Sequence, residues 1–203
     1  MEVLGLWRHA VKSVQDERLE SARFEDDGLA GDRRWGIRDL RTGRILTARS
    51  RPELLGAAAS YDGELPVITV PDGGTAVGPG QDTDGLLSRW MGSLVSLVAS
   101  VGNPGGRAGY FADATDDTSP AIEWTMPTGR YAGSAAVLVL STASLRTAAE
   151  LYPGGVWDPR RFRPNVLIDV EGTGWREDGW VGRPCRSGRS CFCPSSRASA
   201  APW

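Results

Sequence analysis

The sequence predicts a mainly β protein with a minor α component, in an antiparallel, barrel-like architecture with a few short helices. Three observations favour this class. Short apolar runs alternate with frequent turn residues, few helical segments separate them, and the sequence contains neither a G-x-x-x-x-G-K-[ST] nor a G-x-G-x-x-G loop. Strands that follow one another directly pair in antiparallel fashion, so a parallel doubly wound sheet is disfavoured.

The overall charge restricts the classes of ligand. The chain has 203 residues, with 23 Lys and Arg against 25 Asp and Glu, and a net charge of −2. A general nucleic-acid-binding protein has an excess of positive charge, which this chain lacks. Any ligand must therefore be recognised by a local group of residues. The first residues lack the apolar run of a signal peptide, and no stretch approaches the roughly 20 apolar residues of a membrane span. We therefore expect a cytoplasmic protein with a small-molecule substrate and no nucleic-acid or membrane partner.

Turn residues divide the first half of the chain into strands. The turns fall at Arg41-Thr42-Gly43, at Asp62-Gly63 and at 71–74. Gly92 is placed to end a helix. The predicted elements of this half are strands at 2–8, 19–25 and 94–99, hairpins over 34–48 and 53–70, and a helix at 84–91.

The second half begins with an irregular stretch. Residues 102–120 are rich in Gly, Asp, Thr and Pro without a sustained period, which predicts a long surface loop or a join between lobes. A buried strand is then predicted at 135–141 and a helix with a Ser or Thr cap at 142–152. Another strand is predicted at 164–170.

Three polar stretches lie at predicted strand ends, namely 6–13, 31–35 and 46–52. Loops at strand ends can converge at one mouth of a barrel, where Lys and Arg bind a phosphate and hydroxyls complete the site. The alternative is that these charges only solvate the surface, as most do.

Two further polar features have ordinary structural explanations. Arg163 and Asn165 flank a proline before a predicted strand, and an asparagine there is often a turn residue. His9 is the only histidine, which excludes a two-histidine metal site and favours a structural role for His9.

Six stretches together resemble the MOSC proteins, the family named for the C-terminal domain of molybdenum cofactor sulfurase. The resemblance is to the branch that carries an N-terminal β-barrel domain and includes the mitochondrial amidoxime-reducing component. It covers about residues 1–183. The matching stretches are "LWRHAVKS", "GLAGDRRWGIRD", "TGRILTARSRPELL", "LSTASL", "RRFRPNVLID" and "EDGWVGR".

The resemblance implies two β-barrel-like lobes, the second incomplete, and a molybdenum cofactor whose pterin dithiolene holds the metal. It places an N-terminal domain at 1–118, a partial MOSC domain at 119–183 and an aberrant, disordered tail at 184–203. It assigns no catalytic or metal-ligating residue in this chain. The residues that it assigns to cofactor binding are Lys12, Ser13, Arg33, Arg49, Ser134, Arg163 and Asn165.

The function implied is oxygen-atom transfer, the reduction of N-oxygenated substrates with electrons from a ferredoxin-like, flavin or haem partner protein. A different class is a non-catalytic carrier of molybdopterin or sulfur. The family is also grouped with pyridoxal-phosphate-dependent sulfurases, in which a Schiff base at Lys12 is the weaker alternative, because a neighbouring phosphate keeps a lysine charged.

The last 20 residues depart from the family pattern. Residues 184–203 contain no Leu, Ile, Val or Met, so no strand is predicted through them, and they hold all three cysteines. The spacing of Cys185, Cys191 and Cys193 does not provide a four-ligand zinc site. We expect a frameshift or a truncated gene here, and impaired catalysis, because the family's molybdenum-binding cysteine segment is missing.

Overall fold

A computed structural model describes residues 2–102, 106–113, 116–133, 135–181, 185–187 and 190–192. Strands predominate over helices in this part of the chain, which confirms the mainly β class. No sheet formed by the described strands closes into a barrel. The strands are β1 (Glu2–Arg8), β2 (Glu17–Leu19), β3 (Phe24–Glu25), β4 (Gly28–Leu29), β5 (Trp35–Asp39), β6 (Ala58–Asp62), β7 (Leu65–Thr69), β8 (Thr75–Val77), β9 (Val95–Ala99), β10 (Arg107–Asp113), β11 (Asp116–Thr125), β12 (Val139–Ser141), β13 (Val166–Asp169), β14 (Cys185–Ser187) and β15 (Ser190–Phe192). The α-helices are α1 (Gln81–Met91) and α2 (Thr142–Leu151), and short 3-10 helices span Pro52–Gly56, Pro159–Phe162 and Arg176–Trp180.

The chain divides into two compact units that are not continuous in sequence. The predicted limits 1–118, 119–183 and 184–203 stay a prediction, and the first boundary falls within β11. Unit 1 contains the described residues of Met1–Trp7, Arg18–Ala30 and Ala135–Ala200, and unit 2 contains those of Arg8–Glu17 and Gly31–Ser134.

Unit 1 contains a four-stranded sheet in the order β12-β13-β1-β2. β1 pairs antiparallel with β13, and β12 pairs parallel with it. Helix α2 follows β12 directly, and its N-cap residue Ser141 accepts a hydrogen bond at 3.2 Å from the backbone N–H of Ser144. The predicted hydroxyl cap of this helix is therefore confirmed.

Unit 2 contains the antiparallel sheet β6-β7-β8, the pair β5-β9 and helix α1. The predicted hairpin at Asp62-Gly63 is confirmed, with Gly63 at φ +58°. Helix α1 begins three residues earlier than predicted and ends at Gly92, which is left-handed as expected. Its buried face joins an apolar core that includes Val11, Ile37 and Ile68.

Two early predictions hold only in part. The predicted strand at 19–25 is divided between β2 and β3. In the predicted hairpin over 34–48, the turn forms and the backbone N–H of Leu46 donates to Ile37 O, but the second arm makes only an isolated bridge at Ile45. The other edge of β5 instead pairs over five residues with β9, a partner that the local pattern does not show.

The predicted loop at 102–120 is wrong, because β10 and β11 form an antiparallel hairpin there. Glycine, aspartate and threonine have weak or mixed strand preference, and the pairing context decides the outcome. Ala108 on β10 is fully buried in a second apolar cluster with Met126 and Tyr131. Ala108 therefore joins the hairpin to apolar packing that the polar composition of the stretch does not indicate.

The cysteine-containing tail holds a short hairpin in which β14 pairs with β15. The prediction that no strand passes through this segment is wrong for these residues. A local hairpin requires only a turn between two extended segments, and this can form without a large apolar surface. The other tail residues, Cys193 included, lie outside the described residues.

Substitution of Leu87 tests whether the apolar core of unit 2 contributes to stability. Its side chain on α1 is fully buried, whereas that of Leu94 is 73% exposed. We expect Leu87→Ala to lower the free energy of unfolding by about 2–5 kcal/mol and Leu94→Ala by less than about 0.5 kcal/mol. Urea unfolding measures both, and equal losses would contradict the described core.

Candidate functional site

The three polar stretches predicted to converge do meet in unit 2. The backbone N–H of Arg33 donates to His9 O at 2.6 Å, and that of Lys12 donates to Trp35 O at 2.9 Å. The backbone N–H of Ala48 donates to Ser13 Oγ at 3.0 Å. Residues 9–13, 31–35 and 47–51 are thus joined by hydrogen bonds.

A fourth segment, 129–131, belongs to the same place and was not predicted. The backbone N–H of Tyr131 donates to Arg33 O at 2.8 Å, and Arg34 Nη1 donates to Gly129 O at 2.7 Å. Ser100 Oγ also donates to Gly129 O, at 2.6 Å. We call the residues 9–13, 31–35, 47–51 and 129–131 the cationic loop cluster.

The cationic loop cluster is strongly positive in a protein whose net charge is −2. Asp32 is the only carboxylate in its four segments, against six Lys and Arg side chains. Like charges that lie this close together repel one another, and a bound anion lowers this repulsion. The cationic members are Lys12, Arg33, Arg34, Arg49, Arg51 and Arg130.

Asp32 organises the cluster from a position of complete burial. One carboxylate oxygen accepts the backbone N–H of His9 at 2.8 Å, and the other forms an ion pair with Arg33 Nη1. A buried carboxylate must be paired to be tolerated, so this arrangement fixes both neighbours. The sequence signal was an acidic residue directly before two arginines in "GDRRW".

Lys12 and Ser13 lie on the segment that follows β1. Lys12 is 9% exposed, and Ala10, Val11 and Val14 around it are fully buried in the core. The core residues therefore hold the segment in place by burying apolar area, and Lys12 and Ser13 are carried with it. His9 is also fully buried, and its backbone groups bond to Asp32 and Arg33, as its predicted structural role requires.

Backbone strain coincides with the predicted site residues. Of the residues described, three other than glycine have positive φ: Ser13 at 64°, Arg33 at 52° and Arg163 at 54°. Each costs on the order of 1–3 kcal/mol, and such residues concentrate at functional sites. All three are among the residues assigned from the family resemblance.

Tyr61 supports the turn that precedes Arg33. Its hydroxyl donates to Gly31 O at 2.9 Å, and its ring lies under the guanidinium of Arg8, 4.4 Å from the ring centroid. Arg8 Nε also pairs with Glu17 at 2.7 Å. Burial raises the pKa of Tyr61 to about 12, so the hydroxyl keeps its proton at neutral pH.

Arg49 lies in a tight loop of the cluster. The backbone N–H groups of Ser50 and Arg51 both donate to Thr47 O, at 3.1 and 2.8 Å. The Arg51 side chain anchors the loop through Met91 O at 2.6 Å and Glu53 at 2.5 Å. Arg49, half-buried between these anchors, is held beside Ser13 through the Ala48 contact.

The remaining assigned residues lie in unit 1 or outside the described residues. Asn165 is fully buried, where its Oδ1 accepts from Leu138 N at 3.1 Å and its Nδ2 donates to Trp7 O at 3.2 Å. This amide joins the segments that lead into the sheet, while its cofactor contact stays a prediction. Arg163 ends the 3-10 helix Pro159–Phe162. Ser134 lies outside the described residues.

Removal of the Tyr61 hydroxyl tests the support of this turn. We expect Tyr61→Phe to lower the free energy of unfolding by about 1 kcal/mol at neutral pH, because one hydrogen bond is lost. The raised pKa makes the unfolded chain lose the phenol proton first, so this contribution is full below pH 10 and is lost between pH 10 and about 12. Tyr61→Phe should therefore show a shallower alkaline loss of stability than the parent in urea unfolding. Tyr152→Phe is the matched control, and an unchanged alkaline slope in Tyr61→Phe would contradict the assignment.

Substitution of Asn165 tests its structural role. We expect Asn165→Ala to lower the free energy of unfolding of the ligand-free protein by about 1–3 kcal/mol, because Leu138 N and Trp7 O lose buried partners. Thermal unfolding measures this loss. Unchanged stability would show that the amide contacts are not needed for the sheet.

Neither a metal cluster nor a membrane span is found in the described part of the chain. No group of three or more His, Cys, Asp and Glu side chains there is placed to hold a metal ion. No described helix is both long and apolar enough to cross a bilayer.

The family comparison agrees with the resemblance of the motifs. Residues 1–91 match the MOSC N-terminal beta barrel domain, and this match includes three of the four segments of the cationic loop cluster. No curated protein matches the sequence. Residues 1–91 of the chain are therefore similar to the N-terminal domain of the MOSC-domain-containing proteins.

Proposed function

We propose that the cationic loop cluster binds the phosphate-bearing end of a molybdenum cofactor. One observation carries this proposal: Lys12 and Ser13 of one motif and Arg33 of another lie on segments that hydrogen bonds join directly. The match of residues 1–91 to the MOSC N-terminal beta barrel domain supports it, since the MOSC family is associated with molybdenum-cofactor binding.

The donor set fits a phosphate. Ser13 Oγ accepts from Ala48 N, so the hydroxyl proton is directed elsewhere and can be donated to an anion. Lys12 contributes a compact charge, and Arg33 contributes a planar fork of N–H donors. Hydrogen bonds of this charge-assisted kind are about twice as strong as neutral ones.

Asp32 prepares Arg33 for this task. Its ion pair holds Nη1 of the guanidinium, a group that carries five N–H donors in all. Because Asp32 is also bonded to His9 N, the direction of the guanidinium is set by the fold before a ligand arrives. Preorganisation of this kind lowers the entropic cost of binding.

The activity that we propose is the reduction of N-oxygenated substrates, with electrons from a separate partner protein, at the impaired level expected from the sequence. When bound, the cofactor supplies the oxygen-atom transfer chemistry. The residues of this chain hold the cofactor and neutralise its phosphate. The proposal assigns to these residues the anionic part of the cofactor.

Cofactor retention tests the proposal. The protein and its variants are produced in cells that make the cofactor, and molybdenum and pterin are then measured on the purified, dialysed proteins. We expect Lys12→Ala and Arg33→Ala each to weaken retention about tenfold or more, because a charge-assisted hydrogen bond contributes about 1.5–3 kcal/mol. Arg41→Ala, on an exposed turn of the same unit, is the matched control.

The outcomes separate binding from turnover. Retention by Lys12→Ala and Arg33→Ala equal to that of the parent would contradict the assignment of the cluster. Retention by the parent without reduction of an N-hydroxylated amidine would support the carrier function instead. Reduction by the parent that is lost in both variants would support the oxidoreductase.

A further inference from the structure

Unit 2 has an edge strand whose outer hydrogen-bonding groups face away from its sheet. β8 is the last strand in the order β6-β7-β8. Val70 N donates to Gly74 O at 2.9 Å, and Gly78 N donates to Pro66 O at 2.8 Å. The backbone N–H and C=O groups of Gly74, Ala76 and Gly78 therefore face β7. The backbone groups of Thr75 and Val77 therefore point to the other side, where a further strand can pair.

Helix α1 lies beside this edge and forms a groove with it. Thr83 Oγ1 donates to Gly78 O at 2.6 Å, and at the other end a Cβ on Gly74 would lie 2.7 Å from Leu86 Cδ1. The helix thus runs antiparallel to β8. The groove between them has a volume of about 580 Å³, within the range of about 300–1,000 Å³ typical of ligand sites.

A glycine in the middle of α1 keeps this groove open. Gly85 lines it, and a Cβ there would meet only Arg89 Nη1, at an ordinary 3.5 Å. Neither packing nor a left-handed backbone therefore requires glycine. The helix nevertheless carries a residue that costs about 0.5–1 kcal/mol relative to alanine.

Opposite charges lie at the two ends of the groove. Asp82 is in the first turn of α1 and Arg89 in its last turn, both exposed and both lining the groove. Seven residues separate them, which is about 10 Å along a helix. An added strand antiparallel to β8 has its N-terminal end beside Asp82 and its C-terminal end beside Arg89.

We propose that the groove between β8 and α1 binds an extended peptide segment of a partner protein as an added β-strand. The segment carries a basic residue toward its N-terminus, to pair with Asp82, and an acidic residue toward its C-terminus, to pair with Arg89. An apolar residue between them contacts Ala76, which lies on the face of β8 toward α1 and lines the groove. Backbone pairing with the edge supplies affinity, and the side chains supply specificity. This interaction is independent of cofactor binding.

A synthetic peptide tests the proposal on the full chain. The probe is fluorescein-labelled Thr-Lys-Thr-Val-Thr-Glu-Thr, in which the alternate Lys, Val and Glu side chains share one face. Fluorescence anisotropy should show saturable binding to the parent. The affinity should be about tenfold lower for Arg89→Ala, because a charge-assisted contact is lost, and unchanged for Arg41→Ala. The peptide with Lys and Glu exchanged should bind more weakly by a similar factor.

Two further measurements identify the strand pairing. Proline at the third or at the fourth position of the peptide should abolish binding in one case only, because only alternate N–H groups face β8. Gly85→Ala should raise the unfolding temperature of the protein, because alanine favours the helix. The same substitution should weaken the binding of the peptide, because the added methyl group fills the groove.

Three outcomes would overturn the proposal. They are no saturable binding of the probe, equal binding by Gly85→Ala and the parent, and self-association of the parent that Val77→Lys abolishes. The last result would assign the edge to a second copy of this chain.

Discussion

The buried carboxylate of Asp32 is the interaction on which the candidate site depends. A fully buried charge is costly unless it is paired and hydrogen-bonded. Asp32 meets both conditions by accepting from His9 N at 2.8 Å and pairing with Arg33. The segments that carry Lys12 and Arg33 therefore cannot separate without exposing an uncompensated charge.

The core supplies the free energy that this arrangement requires. Ala10, Val11 and Val14 are fully buried on the same segment that presents Lys12 and Ser13. Burial contributes about 0.8 kcal/mol for each methylene removed from water, which offsets backbone strain of about 1–3 kcal/mol at Ser13. The apolar residues of this segment thus hold in place the polar ones for which we propose a role in binding.

The sequence predicted the parts of this structure that local chemistry determines. The Asp62-Gly63 hairpin, the glycine end of α1 and the hydroxyl cap of α2 each depend on residues close together in the chain. The convergence of the strand-end loops was also predicted, and the polar residues of 6–13, 31–35 and 46–52 indicated it.

Long-range pairing explains what the sequence did not predict. Strand β5 pairs over five residues with β9, which is distant in the chain. The polar stretch 107–125 forms a hairpin whose Ala108 is buried with Met126 and Tyr131. The contact of Arg34 with Gly129 spans 95 residues and leaves no local pattern. The buried amide of Asn165 is a further example. The sequence alone does not distinguish an asparagine in a turn from one that binds a ligand, and the partners Leu138 and Trp7 are seen only in the structure.

The distribution of charge follows from the same physics. Exposed ion pairs such as Arg23 with Glu25 are screened by salt and contribute little to stability. Lys12 and Arg33 are removed from solvent, so their fields are screened less and act more strongly on a nearby anion. A protein with a net charge of −2 can therefore carry a local positive field, which is the basis of the proposed phosphate binding. The field arises from where the cations lie, because the four adjoining segments hold six of them and one carboxylate, while Glu53 outside the segments pairs with Arg51.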